Sequence, residues 1–109
     1  MKAIFNTRQQ STVNGGRGRW YVNMNEEIKT YEDNGDTVYE YVYDQVLVDG
    51  YPTYPKVVDL LIRERYTISD ELAIHRQRDN KPHEFSEYNA FCEACKDMAR
   101  PVFNISGGE

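Results

Sequence analysis

Apolar and polar residues alternate through the first half of the chain, and apolar residues recur every three or four positions through the second. A period of two belongs to a strand with distinct faces, and a period near 3.6 to an amphipathic helix. By this test Lys2 to Asn6 is a short strand and Trp20 to Met24 another, and a third run starts near Glu27 and reaches Tyr31. Asn34-Gly35 follows, and because both residues tolerate positive φ the pair predicts a tight hairpin turn. Beyond it, TVYEYVYDQVLVD is the clearest strand in the chain. Val38, Val42, Val46 and Val48 share one parity, interrupted by Glu40 and Asp44; Tyr39, Tyr41, Tyr43 and Leu47 share the other. The strand therefore has a valine side and a tyrosine side. Helices are expected to cover one of them, and the pattern does not choose which. A bulge near Asp44 or Gln45 would exchange the two faces midway.

The second half reads as three helices. Pro55 suits a first helical turn, where its missing N–H costs nothing, and PKVVDLLIRERY follows with Val57, Val58, Leu61 and Arg65 on one stripe. Thr67 or Ser69 is placed to cap a shorter helix, SDELAIHRQR, with Asp70 and Glu71 at its positive end. Pro82 opens the third, in which Phe85, Tyr88, Cys92, Cys95 and Ala99 form one buried stripe, widened by Phe91 and Met98, before Pro101 stops it. The polar, glycine-rich stretch at 7–19 has no apolar period and is expected to be a flexible basic loop. The expectation is an α+β fold in one domain. A small antiparallel sheet (hairpin or meander) over 1–52 is followed by about three helices over 53–100, packed on one sheet face, and a frayed tail at 104–109.

Length supports this: 109 residues suffice for one core but not two. Nine tyrosines against four phenylalanines suit half-buried sheet faces and contact surfaces, because a tyrosine ring packs while its hydroxyl stays wet. The net charge of −5 is unevenly spread. Residues 1–19 hold Lys2, Arg8, Arg17 and Arg19 and no acid, whereas the remainder holds nine basic and eighteen acidic groups. An acidic body argues against general duplex binding, since affinity for phosphate comes mainly from lysine and arginine. No apolar run approaches the roughly 20 residues that span a bilayer, and MKAIFNTRQQ lacks the apolar segment of a secretory signal. The expected setting is the cytoplasm, with no membrane partner.

Candidate chemistry changes this picture little. Cys92 and Cys95 have the spacing of a redox pair or half a zinc site, but a reactive thiol belongs at a helix N-terminus and Cys92 lies deep in the third helix beside Glu93. Zinc needs four ligands, and His75 and His83 stand at no finger spacing, so both thiols read as core groups and no metal or cofactor is expected. Neither histidine has a nucleophile supplied by its context, and Glu84, Glu87 and Asp97 read as a solvated helix face. Gly15-Gly16-Arg17-Gly18 lacks the lysine–serine ending of a phosphate loop. Arg8, Arg17 and Arg19, followed by Trp20, could grip single-stranded nucleic acid by charge and stacking, which is the alternative function. Arg76 and Arg78, with Asp79 and Lys81, crowd a helix–helix junction, where arginines either satisfy helix ends or form a partner patch. No catalytic set emerges, and the chain is expected not to be an enzyme.

From Pro55 to Ala99 the sequence resembles small phage and prophage proteins of the tail-gene region, the XkdW-like family. The features are Arg63-Glu64-Arg65-Tyr66, Ser69 to Glu71, Ile74-His75-Arg76-Gln77-Arg78-Asp79, and Lys81-Pro82 with Glu84-Phe85 and Tyr88-Asn89. The resemblance implies a structural or assembly role among tail components and supplies no catalytic residues. The expected partners are other protein chains, tail components or further copies of this one. The expected contact surface combines Trp20, Tyr39, Tyr41 and Tyr43 with Arg76 and Arg78, because a large exposed aromatic face seldom persists on a monomer.

Overall fold

The structure, a computed structural model, describes residues 1–104, so the expected frayed tail lies, beyond Asn104, outside the described residues. The fold is α+β, and the chain divides into two compact units, Met1–Pro52 and Thr53–Glu109.

The first unit is a four-stranded antiparallel sheet in the order β1-β4-β3-β2, with β1 Lys2–Phe5, β2 Thr12–Gly16, β3 Arg19–Asp33 and β4 Asp36–Asp49. Asn34 and Gly35 turn between β3 and β4 with φ of 51° and 84°, the paired positive φ of a type I′ hairpin. Arg17 and Gly18 make the same kind of turn between β2 and β3, at 58° and 73°. Here the expected flexible loop at 7–19 is corrected. Thr12–Gly16 is a strand whose Thr12, Val13 and Asn14 pair with Val22, Tyr21 and Trp20. The glycines that made this stretch read as loop have local uses. Gly18 takes a positive φ in the turn, and a Cβ on Gly15 would lie 2.8 Å from the Tyr21 ring.

The two runs expected at 20–24 and 27–31 are one long strand broken by a bulge. Met24 pairs with Asp44 and Glu27 with Val42, so Asn25 and Glu26 together oppose Tyr43. The bulge is in β3, not near Asp44 or Gln45, so β4 keeps its faces and β3 exchanges them. Asn25 takes the left-handed conformation (φ 54°) that asparagine tolerates better than most residues, and its side chain donates to Asp44 at 3.1 Å. Glu26 accepts from the Tyr43 hydroxyl at 2.7 Å. Each bulge residue thus fastens β3 to a different residue of β4.

Below the bulge, Val22, Met24, Val46 and Val48 on the valine side are buried, as is Val42 just past it. The opposite side is buried there too, through Tyr43, Asn23 and Gln45, beneath the chain leaving β1. Gln9 donates its backbone N–H to the Tyr43 hydroxyl at 2.9 Å, the Gln10 carbonyl accepts from Asn23, and Phe5 meets the Tyr43 ring at 6.0 Å.

The second unit comprises α1 Tyr54–Arg63, α2 Ile68–Arg76 and α3 Pro82–Ala99, followed by a 3-10 turn over Arg100–Phe103. Thr53 caps α1, and Thr67 and Asp70 form a reciprocal capping box at α2. The core is Val57, Val58, Leu61, Ile62, Ile74, Tyr88, Cys92, Cys95 and Ala99. Arg65 is not on the α1 stripe as expected: the helix ends at Arg63, and the Arg65 guanidinium lies over Tyr66 and Phe91 at 5.2 and 5.1 Å.

Candidate protein-binding surface

The arm that carries the tyrosine row begins at the bulge. From Glu27 to Asp33, β3 pairs only with β4, and β1 reaches β4 only at Tyr41 to Asp44. Residues 27–40 are therefore a two-stranded ribbon whose outer edges meet no third strand among the described residues. Such a ribbon is marginal in water by itself, and its open edges offer N–H and C=O groups to another chain. After the bulge, Ile28 pairs with Tyr41 and Thr30 with Tyr39, which makes one face of the arm Ile28, Thr30, Tyr39 and Tyr41. Tyr31 and Val38 stand opposite each other on the reverse face. Ile28, Tyr31 and Tyr39 are 46, 49 and 50 % exposed.

The expected contact residues divide. Tyr39 is exposed on the arm, and Tyr41 is half-buried at its root with the Arg8 guanidinium 5.8 Å above its ring. Tyr43 has the same parity but is only 3 % exposed, and burial, foremost, holds its hydroxyl above the usual tyrosine range. It is a core residue, and the row ends before it. Trp20 also leaves the expected surface, because it pairs with Val48 on the valine side and packs edge-on against Tyr51 at 5.0 Å. Arg76 and Arg78 belong to the helical unit; Arg78 lies over the Phe85 ring at 5.6 Å and near Asp79 at 3.9 Å. What sequence reasoning missed is Ile28 and Tyr31, whose exposure depends on the bulge and on where β1 ends.

The arginines of the alternative reading do not form one stripe. Arg8 pairs with Glu26 at 3.2 Å and Arg19 with Asp49 at 3.5 Å, while Arg17 sits in the β2–β3 turn. Strand alternation places Arg19 and Trp20 on opposite faces of the sheet.

Several titratable groups of the helical unit take part in its packing. Burial disfavours the Glu71 anion, but the Tyr88 hydroxyl and Arg63, at 2.5 Å, outweigh it and hold the carboxyl below its usual range. Arg63 also reaches Asp59 at 3.1 Å and the Tyr66 carbonyl at 2.9 Å, tying α1 to the start of α2. Burial, with Cys92 and Glu64 adding to it, pushes the Cys95 thiol up to about 11, so it is protonated at neutral pH. His75 lies edge-on to Phe85 and Tyr88 at 5.5 and 5.6 Å, and His83 meets Glu87 at 3.0 Å on the surface of α3. Among the described residues, no three histidines, cysteines or acids are grouped to hold a metal ion, and no helix is long and apolar enough to cross a membrane.

No protein-family model, curated protein or solved structure matches this chain.

Proposed function

We propose that the chain is a non-enzymatic structural or assembly protein of a phage or prophage, and that it docks another protein chain through the arm at residues 27–41. The observation that carries the binding role is the exposure of Ile28, Tyr31 and Tyr39 on a ribbon with two open edges. Aromatic side chains on a surface that a partner dehydrates account for much of the affinity in protein interfaces. Added backbone pairing along an open edge would supply register. The phage setting rests on the resemblance of residues 55–99 to tail-region proteins.

Native mass spectrometry of the purified chain at several concentrations, alone and with co-expressed tail proteins, tests the reading. The expected result is a defined complex, with itself or with a tail protein, that is lost in the Tyr39→Ser, Ile28→Ser double variant while the variant stays folded. An assembly indifferent to both substitutions would overturn it.

A further inference from the structure

On the tyrosine side of the sheet, away from the arm, lies a concavity of about 380 Å³ lined by Phe5, Val13, Asn14, Tyr21, Asn23 and Gln45. That volume is within the range of small-molecule sites. No lining residue is charged, and two of its apolar walls are rings. Asn23 and Gln45 are register partners on β3 and β4, 5 and 8 % exposed. Buried amides on a sheet face cost free energy unless they are hydrogen-bonded, so their orientation matters.

The hydrogen bonds determine that orientation. The Gln10 carbonyl can only accept, so Asn23 must turn its Nδ2 toward it, at 2.9 Å. Asn23 Oδ1 then accepts from Gln45 Nε2 at 2.8 Å, which prevents the Gln45 amide from flipping. This is the one hydrogen bond that the Gln45 side chain makes among the described residues. Its carbonyl oxygen and second N–H retain their hydrogen-bonding capacity, in a residue that lines the concavity.

We propose that this concavity binds an uncharged small molecule with a planar aromatic body and an amide-like hydrogen-bonding edge. Phe5, Tyr21 and Val13 would pack against the ring, because ring faces and edges suit one another at contact distance. The pre-oriented Gln45 amide would pair with the polar edge, one donor and one acceptor on each side. A carboxylate or ammonium in the same place would lose its hydration with no opposite charge in the lining to replace it. The inference rests on the cavity alone and does not depend on the arm.

The test is titration of the ¹⁵N-labelled full chain with benzamide, followed by NMR of its side-chain amides, with benzoate and benzylamine as charged controls. Benzamide should shift the Asn23 and Gln45 amide signals saturably at roughly millimolar concentration, and the charged controls should bind about tenfold more weakly. Val13→Phe, which fills the space, should abolish binding. Gln45→Met, which keeps the length but removes the amide, should weaken it about tenfold. If Gln45→Met does not fold, Val13→Phe decides by itself, and the converse holds. Non-saturable shifts, equal binding of benzoate, or binding unchanged in the folded variants would overturn the proposal. Binding of N-acetyl-tyrosinamide without binding of benzamide would also overturn it, by assigning the cavity to a partner's side chain.

Discussion

The β3–β4 hairpin is one pair of strands with two environments. Just below the bulge both faces hold buried residues, Val22, Met24 and Val46 on one and Asn23, Tyr43 and Gln45 on the other; above it, β3 from Asn25 to Asp33 is exposed throughout. Composition accounts for part of this, since Glu26, Glu27, Glu32, Asp33, Asp36 and Glu40 make the arm the more acidic end, but valine and tyrosine occur in both. For those shared residue types the difference is what lies alongside. β1 pairs with β4 only at Tyr41 to Asp44, and β2 with β3 only at Arg19 to Val22. A ladder with neighbours on both sides has side chains to pack against; a ribbon without them leaves the same residue types wet. A strand's alternation thus states which side a residue faces, and the length of its neighbours states whether that side is covered.

Breaking the base should have the largest effect. Val22 is fully buried, and Val22→Ala removes two methyl groups, which together with the cavity left behind should cost roughly 2–3 kcal/mol. Urea unfolding followed by the fluorescence of Trp20, the single tryptophan and a member of the same unit, would measure it. A loss below a few tenths of that size would mean that the base is not a packed core.

Tyr43→Phe attacks the fastening at the bulge. It leaves the Gln9 N–H and the Glu26 carboxylate without the hydroxyl between them and should cost about 1–2 kcal/mol. The same residue gives an alkaline signature. Because the folded protein holds the Tyr43 hydroxyl above the ordinary value of 10.0, its contribution is complete below pH 10 and is lost as pH rises through the folded value. Above pH 10 the wild-type protein should therefore lose stability faster than Tyr43→Phe, and parallel pH curves would contradict this.

Gly35→Ala addresses the arm's turn. Its φ of 84° is costly for any side chain, so the turn should be strained by about 1 kcal/mol. Hydrogen exchange should then quicken along 29–40 while the base keeps its protection. Equal loss in both regions would show that arm and base open together. The smallest effect is expected from Tyr39→Ser and Tyr31→Ser, within about 0.5 kcal/mol on the isolated chain because both side chains are half exposed. A loss above about 1 kcal/mol in the same urea assay would mean that the arm is part of the folding core and not a free contact surface.

Much of the local structure was legible in the residues. Asn34-Gly35 marks its turn, Thr67 with Asp70 marks the start of α2, and Tyr88, Cys92, Cys95 and Ala99 mark the buried stripe of α3. The parity of Val38 to Val48 against Tyr39 to Leu47 held along the whole of β4, because the bulge fell in its partner. Less of the binding surface was legible. Tyr39 and Tyr41 stand where their alternation placed them, but Tyr43 in the same row is buried, Trp20 faces the other way, and Ile28 was not distinguished. The concavity could not be anticipated, since it needs Val13 and Asn14 from a stretch with no periodic signal, and Phe5, Tyr21, Asn23 and Gln45 from three further places in the chain.

By itself, then, the sequence determined those features that depend on neighbours a few residues apart: turns, caps, helix stripes and the two sides of β4. Only the tertiary structure decided that 12–16 is a strand, that β3 bulges at Asn25 and Glu26, and that Tyr43 is covered while Tyr39 is not. The physical reason is range. Backbone φ preference and side-chain period act within one turn or one hairpin. Burial and register are instead set by where strands distant in sequence begin and end, and by the chain that crosses them.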